Sequence, residues 1–113
     1  MSHALKLRDL LVGRADLQPV RGAPGVLRGP FRPGLGWELL EPVFALRPAA
    51  SADVPEAAER YARARAALPL TLHDARQHLV ATTVLEVRPD RTAPSGLVLH
   101  AELDASVDPP SPA

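Results

Sequence analysis

Apolar and polar positions alternate most cleanly near the C-terminal end of the chain. In the order Leu-Val-Leu-His-Ala-Glu-Leu, residues Leu97, Leu99, Ala101 and Leu103 share one side of an extended backbone, and Val98, His100 and Glu102 share the other. That period of two is the mark of a half-buried strand. Upstream, residues 70–87 hold two apolar, β-branched runs around the polar break Asp74-Ala75-Arg76-Gln77. This pattern predicts a β-hairpin with a four-residue connection, pairing His73 with His78 and Leu72 with Leu79. Leu72, Leu79, Leu85, Leu99 and Leu103 are then the expected core.

A different period runs through residues 53–68. Ala57, Tyr61, Ala64 and Leu68 recur at helical spacing, Asp53 can cap the first turn, Pro55 suits that turn, and Pro69 closes the far end. One helix from about Asp53 to Leu68 is predicted, with its apolar face packed inward.

The remaining segments are less regular. Residues 4–12 fit either a strand, through Leu5 and Leu7, or a helix, through Leu7, Leu10 and Leu11; a strand accords better with a β-rich chain. Residues 19–36 are crowded with Pro and Gly, which leaves room for a short strand at 26–28, extending at most to Phe31, within a long loop. Trp37 to Arg47 reads as a strand interrupted at Glu41-Pro42, with Phe44 and Leu46 on one face. The Pro-rich end, residues 108–113, has nothing to bury and is expected to be a disordered tail behind a single domain of residues 1–107. The order of elements is mainly β (α+β by count). It predicts an antiparallel β-sandwich or partly open β-barrel with one inserted α-helix.

Composition narrows the function classes. Hydrophobic residues make up 46% of the 113, enough for one modest core, but aromatics only 4%, so Leu, Val and Ala must fill it. The formal net charge is zero, which argues against a nucleic-acid or anionic-membrane surface. There is no Cys, so disulfides, thiolate catalysis and Cys-bound zinc are excluded. No apolar run approaches the ~20 residues that span a bilayer, and no secretory leader is expected. These features predict a soluble, cytoplasmic protein.

Three chemistries remain to be weighed. Arg28, Phe31, Arg32 and Trp37 lie within ten residues among Gly and Pro; exposed Trp and Arg are enriched where proteins bind one another. His73 and His78 flank the hairpin break, and His100 on the last strand would join them in a metal site if the strands adjoin. A nucleic-acid face would need Arg28, Arg32, Arg76 and Arg88 on one side. No serine sits in a nucleophile elbow, and no phosphate loop or dinucleotide fingerprint is present. The expectation is a non-enzymatic structural or protein-interaction module, without a cofactor. It would contact a protein partner or a second copy through the segment around residues 22–37 or through a strand edge. The alternatives are a β-barrel that binds a small molecule or a metal, and a weak nucleic-acid binder.

Overall fold

The computed structural model describes residues 2–47 and 55–104. Within them the chain runs β1 (Ser2–Leu7), β2 (Leu10–Asp16), β3 (Gln18–Pro19), β4 (Val26–Pro33), α1 (Trp37–Phe44), α2 (Pro55–Ala66), β5 (Leu70–His73), β6 (Leu79–Val80), β7 (Thr82–Pro89) and β8 (Leu97–Leu103). The strands form one antiparallel sheet in the order β6-β5-β1-β2-β4-β8-β7, with β3 paired to β4 beside the main path. The two ends of that path, β6 and β7, are consecutive in the chain and separated only by Ala81. A single bent strand thus begins on β5 and finishes on β8, and the sheet curls into a nearly closed barrel. This is the expected antiparallel β architecture with inserted helix.

The barrel interior is a single cluster drawn from strands along the whole chain: Leu5, Val12, Ala15, Leu17, Phe31, Leu72, Leu85, Val87, Leu99 and Ala101, closed from one side by Leu40 and Phe44 of α1. The inward side read for the last strand holds at its centre, while Val98 and His100 on its other side are buried as well. Leu85 and Val87 point in, as do Leu99 and Ala101. At the end it fails: Leu103 is more than a third exposed.

Residues 4–12 are two strands, not one. β1 turns back through Arg8-Asp9 and pairs Leu7 with Leu10, Arg8 taking a positive φ at the turn.

The breaker-rich segment is corrected most. Residues 26–33 form a full strand in the interior of the sheet, despite Gly29, Pro30 and Pro33. On one side β4 pairs with β8; on the other it pairs with β3 at residues 27–28 and with β2 at residues 31–33. Pro30 falls at the change of partner, where an interrupted ladder tolerates a residue without an N–H. Gly29 lies against the Asp16 backbone, where a Cβ would collide with the carbonyl oxygen. The two breakers serve this crossing of strands.

Trp37 to Phe44 is helix α1, not a strand. Trp37, Leu40 and Phe44 repeat at three and four residues, and Leu40 and Phe44 are the helix's buried side chains. Burying that stripe outweighs the hydrogen bond lost at Pro42.

The hairpin forms, but its register is offset by one residue. Asp74 belongs to the ladder: its N–H donates to the His78 carbonyl at 2.9 Å, and its Oδ1 accepts from the backbone N–H groups of Arg76 at 2.8 Å and His78 at 2.9 Å. The loop is therefore Ala75-Arg76-Gln77, with Gln77 at positive φ, and Leu72 pairs with Val80 while His73 pairs with Leu79. Because side chains alternate, the offset puts Leu79 on the outside, 65% exposed.

α2 ends at Ala66 rather than Leu68, and its predicted face holds: Ala57, Tyr61 and Ala64 are half-buried, as is Leu68 just beyond the helix, while its other side is solvated. The proposed cap Asp53 and the tail at 108–113 lie outside the described residues. α2 sits over the unpaired side of β7, where the Arg65 guanidinium donates to the Leu85 carbonyl at 2.9 Å.

Candidate functional site

An exposed apolar patch lies at one end of the barrel, where β4 runs out beside the start of β2 and the chain turns into α1. This turn is pinned: the Gly34 N–H donates to the Val12 carbonyl at 2.6 Å, and the Gly36 N–H to the Leu11 carbonyl at 3.3 Å. Between these two anchors Leu35 stands 97% exposed. Leu10, whose side chain lies against Gly36, is 42% exposed, and Leu39 in the first turn of α1 is 60% exposed. The three form an apolar end face. Arg32, three residues before Leu35, is exposed and pairs at 3.2 Å with Asp16, at the end of β2 away from Leu10.

On the opposite side of α1 from Leu39 the helix borders a cavity of about 340 Å³. Trp37, Phe44, Val87, Pro89 and Leu97 supply apolar wall, and Glu41 and Ser95 supply polar atoms. Trp37 stacks nearly parallel to Phe44, with ring centroids 6.0 Å apart, and is tilted against Phe31 at 5.3 Å. The Ser95 hydroxyl donates to the Phe31 carbonyl and so ties the β7–β8 loop to β4.

The four residues singled out around the loop therefore divide. Arg32 is exposed on β4, Trp37 is half-buried at the cavity, and Phe31 is fully buried in the core. Arg28 projects from the outer face of β4, and its Nε and Nη2 both contact His100 Nδ1, at 3.2 and 3.1 Å.

The three histidines do not converge. His73 on β5 pairs with Leu79 and His100 on β8 pairs with Glu86, positions seven residues apart along the bent β6–β7 strand. His78 lies exposed at the hairpin loop, 3.9 Å from Asp74. The Thr71 hydroxyl is 3.0 Å from His73 Nε2. His100 is on the outward side of β8, as the alternation requires, yet only 5% exposed, because its partners cover it. Arginine has only donors, so Nδ1 of His100 accepts, and Nε2 carries the proton it gives to Glu102 at 3.0 Å. Among the described residues no three His, Asp or Glu side chains form a group able to hold a metal.

One charged cluster was not anticipated. Glu86, on the outer face of β7, accepts from Arg47 Nε at 2.6 Å and from Arg88 Nε at 3.1 Å. Burial alone would raise its carboxyl, but the two guanidiniums outweigh burial and hold it below the usual range. Tyr61 of α2 lies near these charges; burial, and then the Glu86 charge, push its phenol up. Arg65 is shifted down by burial. The arrangement joins α2 and the chain after α1 to the barrel. Its only signal in the sequence was the alternation of Glu86 and Arg88 on one face.

Comparison with protein-family models, with curated proteins and with solved structures finds no match.

Proposed function

We propose that this chain is a non-enzymatic structural module that associates with a second copy of itself through the apolar end face of Leu10, Leu35 and Leu39. The observation that carries this reading is Leu35, 97% exposed between two backbone hydrogen bonds to β2. Its backbone is already held, so covering Leu35 costs little backbone entropy and removes apolar area from water. A strand edge is the less favoured contact, since Arg65 covers part of the free side of β7 and β6 is only two residues long. A second copy is favoured as the partner because the formal net charge is zero, so copies meet without net repulsion.

Sedimentation velocity over a concentration series tests the reading. The wild type is expected to show a concentration-dependent dimer. The double substitution Leu35→Glu with Leu39→Glu is expected to remain monomeric with an unchanged circular dichroism spectrum. A wild type that stays monomeric at its highest soluble concentration, or a double variant that still dimerises, would overturn the proposal.

A further inference from the structure

We propose that the cavity beside α1 binds a small organic cation with an apolar body, an alkyl- or arylalkylammonium. At about 340 Å³ it falls in the size range of small-molecule sites, which are mostly apolar with a few placed polar groups. The wall residues Trp37, Phe44, Val87 and Leu97 fit that description. Among the described lining side chains Glu41 alone carries charge. The arginines that follow lining residues are turned elsewhere: Arg88, next to Val87, and Arg47, two residues after Ala45, both bond Glu86. The Ser95 hydroxyl gives its proton to the Phe31 carbonyl and accepts from the Leu97 N–H at 3.3 Å, so it can act toward a ligand only as an acceptor, through its remaining lone pair. The Gly96 N–H is likewise committed, to the Ala93 carbonyl at 2.9 Å. A carboxylate, a hydroxyl acceptor and two aromatic rings complement a ligand that brings both positive charge and N–H donors. Indole and phenyl rings attract ammonium groups through their quadrupole, and one carboxylate beside them discriminates cation from neutral molecule or anion. The site is independent of the proposed dimer face, which lies across α1.

Trp37 is the only Trp and lines the cavity, so its emission reports occupancy. The full chain is titrated separately with 2-phenylethylammonium, 2-phenylethanol and 3-phenylpropionate, and calorimetry on the same solutions covers the case of an unresponsive fluorophore. The ammonium is expected to bind saturably, roughly threefold or more tighter than the alcohol, with the carboxylate weakest. In Glu41→Gln, an exposed position, the advantage of the ammonium over the alcohol is expected to disappear while the circular dichroism spectrum is unchanged. No binding of the ammonium by either method would overturn the proposal. So would equal or tighter binding of the alcohol or the carboxylate, or a Glu41→Gln variant that keeps the preference.

Discussion

Leu99 and Leu79 are both leucines in alternating strands, yet Leu99 is fully buried and Leu79 is 65% exposed. The difference is the one-residue register of the β5–β6 hairpin, set by Asp74. Chemical denaturation should separate them. Leu99→Ala should cost roughly 2–5 kcal/mol, the range for emptying a packed leucine site. Leu79→Ala should change stability by no more than about 0.5 kcal/mol, as surface substitutions do; equal losses at the two positions would restore the register in which Leu79 faces the core. Glu86 gives a pH-dependent counterpart. Its carboxyl is held below its ordinary range in the folded chain, so its contribution is full above that range and is lost as pH falls through the folded value. Glu86→Gln should therefore cost roughly 1–3 kcal/mol near neutral pH, and wild type and variant should converge in acid. A gap that stays constant down to the acid limb would contradict the ion-pair account.

At the scale of elements, what was legible in the sequence followed from period. The inward side of the last strand, Leu99 and Ala101, and the helical stripe of Ala57, Tyr61 and Ala64 match burial, although Val98 and His100 on the other side of that strand are buried as well. What was not legible came from treating Pro and Gly as punctuation. Pro30 and Gly29 sit inside β4 because that strand changes partners there, a tertiary fact with no local signature. Pro42 sits inside α1 because Trp37, Leu40 and Phe44 have a core to cover; their spacing was the signal, and the proline obscured it. The missed helix also hid the cavity and set Leu39 on no particular side. Since Pro42 is exposed and removes an interior helical donor, Pro42→Ala should raise the melting temperature, the gain being about 1–3 kcal/mol at most. A lower melting temperature would indicate that the fixed φ of Pro42, rather than the helix hydrogen bond, matters at this position.

For the whole molecule, the free side of β7 is partly covered by Arg65 and β6 is only two residues long, so we place association at the end where β2, β4 and α1 meet. Arg32, expected from the sequence as a contact, pairs instead with Asp16 at the far end of β2, and the side chains that make this end apolar are Leu10, Leu35 and Leu39. Leu35 was hidden among breakers, and its exposure follows from backbone bonds that only the paired strands supply. The central claim is that this end face carries the contact, and a dilution series followed by amide chemical shifts tests it most directly. Concentration-dependent shifts are predicted at residues 8–11 and 32–39, with the amides around Leu79 and the β5–β6 loop unchanged. Shifts confined to the hairpin side of the barrel, or none at any concentration, would contradict it.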